Sequence, residues 1–385
     1  MTLKNVLNAF LKSNKISGLI LILCTIFSLI LANSQLGETY IDFWGTNLMG
    51  KSLGFWINDV LMTFFFLLIG LELERELYTG ELSKAKDAIL PLFAAIGGMV
   101  IPALVYFGFN SGTEFTSGFG IPMATDIAFV IGVLALLGKR VPISLKVFLL
   151  ALAIFDDLGA ILIIAFFYSK ELVLSNLLIA IGIFLVLIFL NYKKVHKLYP
   201  YLIGGAIMWY FIYTSGIHPT ITGVLLAFAI PFRKTKEVSC SRRLELFLHQ
   251  PVSFFVIPIF ALANTAIRIE GDFTSTILQP YSIGIILGLL IGKPLGIWLM
   301  SFIGVKLKLC SLPNGLRFKH IFSVGIVAGI GFTMSIFITL LAFSDISVQN
   351  NAKFAILIAS LLAAIIGLVA LSLTLKEVKL KGKRY

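Results

Sequence analysis

Apolar runs separated by short polar stretches divide the chain into twelve segments, at roughly 16–33, 56–71, 88–108, 119–138, 143–168, 172–191, 199–215, 218–232, 249–267, 281–303, 320–343 and 353–375. Most reach the ~17–25 residues that an α-helix needs to cross a bilayer. Segments two and eight are short. The pattern predicts an all-α polytopic membrane protein with twelve transmembrane helices in a single domain. The run 148–165, FLLALAIFDDLGAILIIA, is apolar on both sides of two adjacent aspartates, Asp156 and Asp157. At mid-membrane each carboxylate costs about 2.5–3.5 kcal/mol, and two side by side also repel. Something must offset that cost.

Segments four and eleven differ from the rest. Segment four reads FTSGFGIPMATDIAFVIG, with Gly118, Gly120 and Pro122 ahead of Thr125 and Asp126. Segment eleven reads FSVGIVAGIGFTMSIF, with Gly325, Gly329 and Gly331 ahead of Thr333. Gly and Pro loosen a helix at mid-run, and a polar residue follows each break. Small residues also serve helix packing, but the pairing argues for more. Segments three and ten enter the membrane from opposite sides. The stretches 88–168 and 281–376 therefore read as inverted repeats, with the two interrupted helices in equivalent places. That arrangement points to a transporter's binding site.

Charge supports the count. Of 31 Lys and Arg residues, 26 fall on the side that holds both termini and four on the other, while Lys293 lies inside a segment. This bias places both termini in the cytoplasm. The net charge of +12 does not imply nucleic acid, because the basic residues sit in short loops between apolar runs. The basic tail at 376–384 most simply faces lipid headgroups. Cys24, Cys240 and Cys310 are scattered, fitting neither a disulfide framework nor a metal site. The mean hydropathy of +0.99 excludes a soluble domain.

Neighbours on a helix point about 100° apart, so Asp156 and Asp157 face different surroundings. Lys293 is the only buried basic candidate, and Pro294 after it frees a carbonyl one turn back. If the interrupted helices cross, two helix N-terminal ends meet and two C-terminal ends meet. Asp126 would neutralise the first pair and Lys293 the second. Carboxylates, the Thr125 hydroxyl and unwound carbonyls suit a hard cation such as sodium or lithium. A carrier of organic solutes would want room and polar anchors. An intramembrane aspartyl protease also uses two acids, but its GxGD-type signature is missing. A channel lacks a recognisable filter here.

WIND (56–59), ATDIAF (124–129), FDDLGAI (155–161), GIHPT (216–220), GKPLGI (292–297) and GIGFTMSIF (329–337) stand in order along the chain. Together they resemble the NhaA-type sodium/proton antiporters. The resemblance implies a non-enzymatic, electrogenic antiporter of the cell inner membrane that needs no cofactor. It would export Na+ or Li+, admit H+ and respond to pH. By motif match Asp157 is the main Na+ ligand, with Asp156 beside it and Asp126 and Thr125 at the interrupted helix. Gly329, Gly331 and Thr333 form the second interruption, and Lys293 pairs with Asp156 when no cation is bound. Asp59 matches an acid that shapes structure or pH response. Glu72, Glu74, Arg75 and Glu76 by themselves read as a solvated, salt-bridged helix end, whereas the resemblance implies a pH-sensing cluster of Glu72, Arg75, Glu76, Glu245 and His249. His218 at the start of segment eight suits a pH response by its titration range and equally suits a hydrogen-bonded structural role. The family pattern has a basic residue where this chain has Glu74. It further implies a homodimer held by a hairpin, for which the 34–55 loop is short.

Overall fold

The computed structural model describes residues 3–80, 83, 85–169, 171–232, 239–269, 276–313 and 315–381. Over these residues the chain is helical almost throughout, with one small antiparallel hairpin that pairs Asn47 with Ser52 and Leu48 with Lys51. Among the described residues eight helices are long and apolar enough to cross a membrane. Two bent pairs raise the number to ten: Ile16–Ala32 with Gly37–Gly45, at 114°, and Phe318–Ala328 with Phe332–Ala342, at 53°. The expected seventh and eighth segments are helices of 16 and 9 residues, Tyr199–Thr214 and Ile221–Ala229. Both fall short of a full crossing by length alone. Between them Gly216 turns the chain at φ +89° and Pro219 follows. Lys353, the first residue of the expected twelfth segment and counted on the outer side, lies inside the helix Ile346–Lys381 and is buried.

The chain forms two compact units. One takes in residues 1–29, 84–160 and 267–385, and the other residues 30–83 and 161–266.

The first unit is organised around two helical segments that approach backbone to backbone. Gly284, Gly288, Gly292 and Gly296 recur every four residues, so they share one helix face. Against that face lie Tyr106 and Asn110 at Gly284, Pro102 at Gly288 and Gly292, and Gly97 at Gly296. A Cβ on Gly296 would run into the Gly97 carbonyl, and one on Gly97 into the Gly296 carbonyl. Lipid offers no hydrophobic force between helices, so close contact through small residues holds them instead. In mid-stripe the helix widens to a π turn, Gly288–Gly292, and the next residue is Lys293. Such turns accompany functional positions. Gly296→Ala should lower the thermal midpoint of the detergent-solubilised protein, because the helices must separate. Gly182→Ala meets open space in its helix and should raise the midpoint slightly, since alanine is the better helix former. Equal shifts would remove this account of the packing.

Segment four is interrupted as the glycines and proline predict. A 3-10 stretch, Glu114–Met123, gives way to extended backbone at Ala124 (φ −78°, ψ 153°) and Asp126 (φ −86°, ψ 99°). An α-helix then runs over Ile127–Leu137. Segment eleven is interrupted at residues 329–331, between Phe318–Ala328 and Phe332–Ala342.

In the second unit the segment Leu53–Tyr78 packs against Ile221–Ala229, where Gly70 meets Ala227 and Gly223 meets the Thr63 carbonyl. The Trp209 indole donates to the Thr63 hydroxyl at 3.0 Å. Asp59 sits in a π turn, Trp56–Leu61.

Candidate functional site

A broken helix leaves backbone donors and acceptors exposed at the break, and in an apolar surrounding each must find a partner. In the first unit the two breaks answer one another. Asp126 is the cap of its own half-helix, with Oδ1 accepting the Phe129 N–H at 2.9 Å. Its Oδ2 accepts the Thr333 N–H at 3.1 Å and also the Thr333 hydroxyl. One carboxylate thus serves the positive ends of both half-helices. The Asp126 N–H in turn donates to the Ile330 carbonyl at 2.8 Å, inside the other break.

The negative ends are met by different groups. Met123 ends the 3-10 stretch, and its carbonyl accepts from Lys293 Nζ at 2.5 Å. Ala328 ends the first half of segment eleven, and the Thr125 hydroxyl reaches its carbonyl at 3.1 Å. The same hydroxyl reaches Asp156 Oδ2 at 2.6 Å, where Lys293 Nζ also arrives at 3.1 Å. A hydroxyl has one proton. With Asp156 ionised, Thr125 donates to the carboxylate. With Asp156 protonated, the acid can donate to Thr125 and the hydroxyl can turn to the Ala328 carbonyl.

Thr125, Asp126, Asp156, Asp157 and Lys293 are all 0–2% exposed, so water cannot compensate a charge left over here. Asp156 Oδ1 makes no hydrogen bond among the described residues. It is an acceptor in place to take a proton or a metal ion. Asp157 is buried on the same helix, next to Asp156. Among the described residues no group of three His, Cys, Asp or Glu side chains is arranged to hold a metal. A cation here would instead take mixed oxygen ligands from carboxylate, hydroxyl and unwound carbonyl, the set that hard cations accept.

The second unit holds the other sequence-derived candidates. Arg75 binds Glu245 at 2.9 Å and Glu76 at 2.5 Å, and Arg242 binds Glu245 at 2.5 Å. Glu72 is half-buried beside them, and His249 lies one helical turn beyond Glu245. Glu74 is 3% exposed and accepts from the Ser241 hydroxyl at 2.7 Å. This helix end is therefore packed rather than solvated. His218 stands with Nε2 3.4 Å from Asp59 and Nδ1 2.8 Å from Thr220.

Three participants carry no sequence signal. Ser241, and Ser360 whose Oγ accepts the Phe332 N–H at 3.2 Å, belong to no motif in the sequence. The Met123 carbonyl is invisible to any residue pattern. Arg242 could have been found, because it lies three residues before Glu245 on one helix.

Residues 8–371 match the family described as Na+/H+ antiporter 1. A Na(+)/H(+) antiporter NhaA of Flavobacterium psychrophilum is 58% identical over 383 residues, covering 100% of both chains. The NhaA of Cytophaga hutchinsonii is 55% identical over 96% of this chain and 95% of its own. That of Vibrio campbellii is 49% identical over 97% of each.

Proposed function

The chain belongs to the Na+/H+ antiporter 1 family, and from that membership we infer that it exchanges sodium ions for protons across a membrane. Its relatives are antiporters rather than enzymes. We extend the inference to electrogenic export of Na+ or Li+ across a bacterial inner membrane, driven by inward proton flow. The full architecture belongs to the same proposal: twelve spans, inverted repeats over about 88–168 and 281–376, crossing interrupted helices and cytoplasmic termini. Assembly as a homodimer in lipid is part of it as well.

The mechanism is competition at one site. At alkaline cytoplasmic pH the carboxylates of Asp156 and Asp157 stand ionised, and a sodium ion displaces Lys293 from Asp156. The site then opens outward, protons take the place of the cation, and they are released inside. Asp126 keeps both half-helix starts together throughout, while Thr125 moves its one proton between Asp156 and the Ala328 carbonyl. Two titrating groups per cation move net charge, so the membrane potential assists export. The pH response is assigned to Glu72, Arg75, Glu76, Glu245 and His249, with Asp59 and His218 as a second pair.

The observation that supports this reading most is the convergence of Lys293 and Thr125 on one buried oxygen of Asp156, whose other oxygen has no hydrogen-bond partner among the described residues. Purified protein in proteoliposomes, with no organic solute present, should move protons when a sodium gradient is imposed. Proton flux that appeared only with an added organic solute would make the protein a symporter instead. No sodium-dependent flux at any pH would remove the exchanger reading altogether.

A further inference from the structure

The half-helix Phe332–Ala342 begins at a break, so its first N–H groups have no carbonyl one turn back. Two of them are answered by side chains from other elements. Thr333 N–H goes to Asp126, and the preceding N–H, of Phe332, goes to Ser360 Oγ at 3.2 Å. Ser360 lies in the helix Ile346–Lys381 and is 3% exposed. A serine inside a helix ordinarily turns its hydroxyl to its own preceding carbonyl. Here its oxygen also takes a donor from another helix. Seven residues on, two turns along the same face, Gly367 packs against Val327, and a Cβ there would meet the Val327 side chain at 2.5 Å and its nitrogen at 3.1 Å. Val327 stands just before the break and Phe332 just after it. The last helix therefore holds the broken helix on both sides of its interruption.

We propose that Ser360 is a positioning residue of the cation site, resting on the exchange reading above. By accepting the Phe332 N–H it fixes the first turn of the half-helix, so that the next residue, Thr333, presents both its N–H and its hydroxyl to Asp126. Without that acceptor the Phe332 N–H is left unpaired at the start of the half-helix whose next residue, Thr333, binds Asp126.

The test compares Ser360→Ala, Ser360→Thr and Ser360→Cys in full-length protein, with two readouts. One is amide hydrogen exchange over residues 329–336 in detergent, which needs no transport. The other is the apparent KM for Na+ at a fixed alkaline pH. Ser360→Ala should speed exchange in that peptide and raise KM by about tenfold, with kcat little changed, since a buried donor has lost its acceptor. Ser360→Thr should restore both, and Ser360→Cys, a weak acceptor, should fall between. If the alanine variant does not reach the membrane, the cysteine and threonine variants carry the same comparison. Unchanged KM in the alanine or cysteine variant overturns the proposal, even if exchange quickens. A loss of kcat with KM unchanged also overturns it. Absence of sodium flux in the wild type, with the exchange difference intact, would instead defeat the exchange reading and leave the backbone contact standing.

Discussion

Asp157→Asn is expected to abolish sodium-driven proton flux in proteoliposomes at every pH. Asparagine has nearly the shape of aspartate, so the helix Ile143–Phe167 and its buried surroundings remain. What disappears is the charge that a cation needs in a site with almost no water, together with the group that carries the proton back. The expected loss is at least about a hundredfold, the factor that ~2.7 kcal/mol represents. Asp157→Glu keeps the charge on a longer arm and should retain measurable flux with a weaker apparent Na+ affinity. An Asp157→Asn protein that exchanged at the wild-type rate would mean that this carboxylate neither binds nor carries.

The second large effect is on stability. Lys293 and Asp156 are 3.1 Å apart, and both side chains are 0% exposed. Lys293→Met leaves a buried carboxylate without its counter-charge and the Met123 carbonyl without its donor. Asp156→Asn leaves a buried ammonium. Breaking a buried pair from one side costs about 3–5 kcal/mol, because the remaining charge has nowhere to go. Removing both charges together should cost far less than the two single changes combined, since no uncompensated ion remains. Thermal midpoints of the two single variants and the double variant in one detergent measure this. Additive losses would show that the two side chains do not depend on each other.

The pattern of apolar runs was enough to read a membrane protein, because a bilayer demands long apolar helices and tolerates few charges. It was also enough to place the interruptions near Pro122 and Gly329–Gly331, where residue type alone weakens a helix. It split the run 199–232 in two at the Gly216 turn, and the structure has a helix on either side of that turn, each shorter than its apolar stretch. Hydropathy counts apolar residues and does not see where a helix ends. It also started the last segment at 353 whereas the helix begins at Ile346, because Gln349, Asn350 and Asn351 lower the local average without breaking the helix. Glu74 reads as a solvated residue among charged neighbours, and only its Ser241 partner, 167 positions away, accounts for its burial.

The same division runs through the site. Which residues could carry charge in fat was set by the sequence alone: four acids and bases deep in apolar runs, Asp126, Asp156, Asp157 and Lys293, each too costly to keep without a partner. The tertiary structure decided who the partners are. Asp126 meets Thr333 across 207 residues, Lys293 meets Met123 across 170, and Ser360 meets Phe332 from a helix with no polar pattern to mark it. A hydrogen bond depends on distance and direction between atoms, and where two broken helices meet those are fixed by the packing of glycine faces elsewhere in the unit.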